Sequence, residues 1–142
     1  MKVTVNDEER TLYVLYPDWS DDIVTDDKTL SFDYNNRMYL SKMEGVDPSQ
    51  LFKANLLDGF ISFDVDLSKS GCGCLTALYT VTMPAKDNLH DPFKYCDAAQ
   101  VGGHFCPEFD LMEANKFAYR ATAHRCNAPT SSGAFEDCDR AG

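Results

Sequence analysis

The chain has 142 residues, with 23 acidic against 13 basic side chains and a formal net charge of −10. That balance, with a pI near 4.5, argues against a nucleic acid or an anionic membrane surface as partner and suits a neutral or cationic ligand, neutral sugars included. The length is one domain's worth, enough to bury a core, and no apolar run is long enough to cross a membrane.

Taken in order, the first ten residues lack the apolar segment of a secretory signal, so an extracellular location requires a leader outside this sequence. Residues 1–30 are acidic and weakly patterned. Within them, residues 11–16 are the one clear strand candidate, ending at the turn cluster Pro17-Asp18-Trp19-Ser20-Asp21-Asp22. Trp19 offers an apolar face on which a pyranose ring can stack, although a lone Trp is more often a core anchor.

Short strand-like runs then follow at residues 29–34, 37–43, 60–67 and 75–83. Residues 60–67 alternate strictly, with Phe60, Ser62, Asp64 and Asp66 on one face and Ile61, Phe63, Val65 and Leu67 on the other. Residues 75–83 are rich in β-branched and aromatic side chains and stop at Pro84. Runs of this length and spacing predict a mainly β chain, an antiparallel sandwich or jelly roll in a single domain spanning residues 1–142.

All six cysteines (Cys72, Cys74, Cys96, Cys106, Cys126 and Cys138) lie in the second half. An even number predicts disulfides in an oxidising compartment. The alternative is a metal site drawing on Cys72, Cys74, His90 and His104. Structural zinc sites use two tight ligand pairs, and only Cys72-Gly73-Cys74 makes one, so no metal and no other cofactor is expected.

The chemistry concentrates in Pro107-Glu108-Phe109-Asp110-Leu111-Met112-Glu113-Ala114-Asn115, three acids in six residues. Propensity favours a helix: Pro107 suits its first position, the acids suit its N-terminal end, and Lys116, Arg120, His124 and Arg125 suit its C-terminal end. On a strand, Glu108 and Asp110 share one face. Glu113 then points away unless a bulge adds one residue, in which case all three converge. Two carboxyls brought to about 5 to 5.5 Å can perform retaining glycoside hydrolysis, one as nucleophile and one as acid/base.

The chain resembles glycoside hydrolase family 7, the cellobiohydrolase and endoglucanase type of cellulase, over residues 28–142. Four blocks carry the likeness. Asp58-Gly59-Phe60-Ile61-Ser62-Phe63-Asp64-Val65-Asp66-Leu67-Ser68 resembles the family's FSFDVDVS strand, and residues 71–83 resemble CGLNGALYFVSM. Tyr95-Cys96-Asp97 resembles its YCD loop. Gly102-Gly103-His104-Phe105-Cys106-Pro107-Glu108-Phe109-Asp110-Leu111-Met112-Glu113-Ala114-Asn115 resembles GGHGSCCSEMDIWEAN, followed by His124-Arg125-Cys126 where the family has HPC. Met112 replaces the motif's Trp, Phe105-Cys106 its double Cys, and Ala99 the glutamine after YCD.

The resemblance implies the N-terminal part of a concanavalin-like jelly roll that is incomplete relative to the family. A second chain or segment would then complete the sandwich. It also implies a bulged strand at the acids, with Glu108 as nucleophile, Asp110 as its support and Glu113 as acid/base. Tyr79, Tyr95, Asp97 and His124 match positions lining the substrate groove. The implied disulfides join Cys96 to Cys106 and Cys126 to Cys138, leaving Cys72 and Cys74 linked to each other or free. The implied activity is retaining hydrolysis of β-1,4-glucan by a secreted enzyme. The competing reading is an extracellular carbohydrate-binding or structural module that has lost catalysis.

Overall fold

The computed structural model describes residues 1–17, 20, 22–85 and 91–142. Trp19 and His90 lie outside the described residues. Within them the chain is mainly β, with nine short strands in antiparallel sheets and a single 3-10 turn at Pro48–Gln50. It divides into two compact units, residues 1–57 and 58–142.

The first unit is built from pairs of strands. β1 (Lys2–Val5) and β2 (Glu8–Thr11) form a hairpin in which Val5 faces Glu8, leaving Asn6 and Asp7 as a two-residue turn. Both turn residues have positive φ, 50° and 65°. Such a turn twists its strands correctly, and Asn and Asp tolerate that conformation better than most side chains. β3 (Tyr13–Leu15) pairs with β6 (Tyr39–Ser41), and β4 (Val24–Thr25) pairs with β5 (Leu30–Ser31). Leu12, Leu51 and Ser41 are buried, and the Ser41 hydroxyl is satisfied by donating to the Gln50 carbonyl at 3.2 Å.

The second unit carries a three-stranded sheet, ordered β7 (Thr76–Val81), β8 (Glu108–Asn115), β9 (Ala118–His124). β8 lies in the middle and turns into β9 through Lys116 and Phe117. There the Asn115 carboxamide oxygen accepts the Phe117 and Ala118 N–H groups at 2.9 and 3.1 Å. Beside the sheet, the loop after residue 91 is drawn into a small core. The Asp91 carboxylate accepts the Phe93 and Tyr95 N–H groups, and Phe93, Tyr95, Cys96, Ala98 and Cys106 are buried. Gly102 closes this loop at φ +87°, where an added Cβ would stand 3.2 Å from the Tyr95 carbonyl.

Of the two readings of the acid cluster, the bulged strand that the family resemblance implies is the one that forms, as β8, and not the helix that propensity favours, because its backbone groups are taken by ladders on both sides. Two other sequence expectations change. The acidic N-terminal stretch holds more strands than the one expected. Residues 60–67, expected as a half-buried strand, enter no ladder among the described residues. Their alternation survives only as unequal exposure, 88% at Phe60 against 39%, 45% and 47% at Ile61, Phe63 and Val65. Periodicity selects which side chains share a face, but a strand also needs a neighbouring backbone to satisfy its N–H and C=O groups.

Candidate active site

The register of the three-stranded sheet contains one irregularity, and it falls among the acids. On the β7 side, Leu78 faces Met112 and Tyr79 faces Asp110, so Leu111 is the extra residue. On the β9 side the shift again falls between Asp110, opposite Thr122, and Glu113, opposite Arg120. A bulge absorbs one residue of the pleat, so the odd spacing from Asp110 to Glu113 becomes even. Glu108, Asp110 and Glu113 therefore share a face. Val81, Tyr79 and Ala77 flank them on β7, and His124, Thr122 and Arg120 flank them on β9. The opposite face takes Phe109, Met112 and Ala114, of which Met112 and Ala114 are buried.

Each acid has its own surroundings. The Glu108 carboxylate accepts the Ala98 N–H at 2.9 Å. Burial pushes Glu108 above the ordinary carboxylate range, the charges of Asp110 and Asp97 push the same way, and the Ala98 N–H only partly opposes them. Asp110, 4% exposed, lies 3.0 Å from Nε2 of His124, itself 8% exposed. Burial disfavours the charged form of His124. The Asp139 carbonyl, the Asp110 carboxyl and the Glu108 charge outweigh that, and its pKa rises. Glu113 accepts from Arg120 Nε at 2.7 Å and from the Thr122 hydroxyl at 3.3 Å. Because Thr122 stands opposite Asp110, Glu113 leans back along the strand toward the other two acids.

The four expected groove residues divide in two. Tyr79 and His124 are on the acid face. Tyr95 and Asp97 are buried beside it, in a relay from the Tyr79 hydroxyl to the Tyr95 hydroxyl at 3.1 Å and on to Asp97 Oδ2 at 2.8 Å. Asp97 also accepts the Val101 N–H at 2.8 Å. A shallow cleft of about 230 Å³ borders Glu113 and is lined by Leu75, Ala114, Asn115, Ala118, Tyr119 and Arg120 as well. The disulfides join Cys96 to Cys106 and Cys126 to Cys138, whereas Cys72 and Cys74 are free thiols. Among the described residues no group of three His, Cys, Asp or Glu side chains is placed to hold a metal ion.

Sequence reasoning passed over Arg120, Thr122 and Asp139. Arg120, Thr122 and His124 alternate along one strand, so once β9 is known to pair with β8 their common face follows. The part played by Asp139 is a main-chain contact, for which residue type carries no signal.

The chain is similar to fungal proteins. It is 34% identical over 132 residues to a protein named probable endo-beta-1,4-glucanase celB from Aspergillus clavatus, a match covering 75% of this chain and 31% of that protein. A protein of the same name from Aspergillus flavus is 33% identical over 134 residues, covering 75% of this chain and 32% of the relative. The endo-beta-1,4-glucanase celB of Aspergillus oryzae gives the same figures. The chain spans about a third of the length of these curated relatives. No family model matches it, and no solved structure does.

Proposed function

We propose that the acid face is the catalytic face of a secreted enzyme that hydrolyses β-1,4-glucan with retention, of the family 7 cellulase type, and that this chain forms the N-terminal part of its jelly roll. The observation that carries the reading is the bulge between Asp110 and Glu113, which turns three acids at mixed spacing toward one side of a central strand. The names of the relatives, endo-beta-1,4-glucanases, give the substrate class.

In this reading Glu108 attacks the anomeric carbon while Glu113 protonates the departing oxygen, and Glu113 then draws a proton from water for the second displacement. Glu108 must be ionised to attack. Its raised pKa therefore sets the acid limb of the rate profile: activity falls as pH drops through that value. Glu113 must arrive protonated. Arg120 Nε, 2.7 Å from the Glu113 carboxylate, favours the ionised form, so the reading requires Arg120, 61% exposed at its side chain, to give up that contact when substrate binds, with solvent supplying the proton. Asp110 orients Glu108. Tyr79 and His124 border the sugar, and the buried pair Tyr95 and Asp97 acts from beneath through the hydroxyl relay.

The test is cleavage of a cello-oligosaccharide by the unmodified chain, with the anomer of the first product read by proton NMR. Retention of configuration is expected. Glu108→Gln should abolish turnover and leave oligosaccharide binding nearly unchanged, because the amide keeps the shape and loses the nucleophile. Full activity in Glu108→Gln, or an inverted first product, overturns the proposal, and binding without cleavage at any pH by the protein that includes the rest of the jelly roll favours a binding module.

A further inference from the structure

His124 is hydrogen-bonded at both ring nitrogens. Nδ1 lies 2.6 Å from the main-chain carbonyl of Asp139, and Nε2 lies 3.0 Å from Asp110 Oδ2. A carbonyl oxygen can only accept, so the first contact requires a proton on Nδ1. With Nδ1 so occupied, a neutral ring presents a lone pair at Nε2. Facing an ionised Asp110, that lone pair would meet another at hydrogen-bond distance. One proton must therefore lie between Nε2 and Oδ2, on the ring as an ion pair or on the carboxyl as a neutral pair. Either way the two groups together carry no net charge. A His124 free of the carbonyl would take the other tautomer, donate from Nε2 to an ionised Asp110, and leave the pair at −1.

We propose that the Asp139 carbonyl is a positioning group for the acid face: it fixes the Nδ1 proton of His124 and so keeps one further proton shared between His124 and Asp110. What places that carbonyl is a short antiparallel clamp prolonging β9. The Asp139 N–H donates to the Arg125 carbonyl at 2.9 Å, the Asn127 N–H donates to Asp137 at 3.0 Å, and the Cys126–Cys138 disulfide bridges the strands between these bonds. The Asp139 carboxylate is turned away, accepting the Ala141 and Gly142 N–H groups at 3.0 and 3.1 Å. The charged groups that face His124 are therefore Asp110 and Glu108 of β8. Gly142 packs against Thr122 and the edge of the imidazole. For the acid face, a neutral His124–Asp110 pair removes one negative charge from beside Glu108. The clamp of residues 125–139 thus reaches the acids through a single ring.

The inference does not depend on hydrolysis, since its readout is spectroscopic. The full chain with both disulfides, uniformly labelled with ¹⁵N, is examined near neutral pH by two-bond proton–nitrogen correlation of its three imidazoles, with His124→Gln identifying the resonance. A His124 ring protonated at both nitrogens, or at Nδ1 alone with the proton on Asp110, supports the proposal. A ring protonated at Nε2 alone overturns it. The double variant Cys126→Ala/Cys138→Ala should make the Nε2-protonated tautomer the major form. Asp139→Pro, which keeps both disulfides and removes the N–H that the Arg125 carbonyl accepts, serves the same comparison if the double variant does not fold. An unchanged Nδ1-protonated ring in the folded variant overturns the role of the clamp.

Discussion

Truncating Asp110 to alanine removes a buried carboxyl from a buried imidazole 3.0 Å away. Two unit charges at 3.0 Å attract by about 5.5 kcal/mol at an effective dielectric near 20. Desolvation of the two groups offsets several kcal/mol of that, so the net coupling should be about 2 to 3 kcal/mol, as for other charged hydrogen bonds. Each single variant should cost more, about 3 to 5 kcal/mol, because it leaves its partner buried without a bond. Asp110→Ala strands the Nε2 side of the ring, and His124→Ala leaves Asp110 as a bare charge beside Glu108. Urea unfolding of the parent, Asp110→Ala, His124→Ala and the double variant yields the coupling directly. The pH dependence has a definite sign. The folded pKa of His124 is raised, so its contribution is fully present below the unfolded value of about 6.5 and is lost as pH rises through the folded value. The coupling should be larger at about pH 6 than at about pH 9. A coupling under about 0.5 kcal/mol near pH 6, or one that grows with pH, would refute the argument.

Glu108 has a folded pKa above its unfolded value, so the native state binds more protons there and stability declines as pH rises between the two values. Glu108→Gln should flatten that decline in urea midpoints, and an unchanged slope across the window counts against the assigned cause. Met112→Ala should cost about 2 to 5 kcal/mol by opening a cavity on the buried face. Phe109→Ala, at a site 43% exposed on the same face, should cost less, and the reverse order in thermal unfolding would contradict the face assignment. Iodoacetamide should add two groups to the folded, unreduced protein, at Cys72 before the less exposed Cys74, and six after denaturation and reduction. A folded chain that takes up none, or more than two, conflicts with the disulfide assignment.

What residue patterns conveyed was composition and local grouping. β-Branched and aromatic content marked residues 75–83, where β7 lies, and the run of short strand candidates marked the mainly β character of the chain. The cysteine count pointed to disulfides. The acid cluster was visible as a cluster, and even its geometry was stated as a condition: a bulged strand brings Glu113 to the side of Glu108 and Asp110, a regular one does not. The alternation in residues 60–67 was equally visible and did not lead to a strand, because a side-chain period is a property of one segment and a ladder is a property of two.

Tertiary structure decided the rest, and in each case the reason is that the deciding contact joins residues on different segments of the chain, beyond the reach of local propensity. Helix or strand at Glu108–Asn115 was settled by β7 and β9 claiming the backbone of β8 from both sides, which no local propensity encodes. The surroundings of the acids came from Ala98, Arg120, Thr122 and His124, brought in by a loop and a hairpin. The side chain of His124 was legible as a candidate from the start. Its tautomer was not, since that depends on the direction of a single main-chain carbonyl at Asp139, and a carbonyl is common to every residue type.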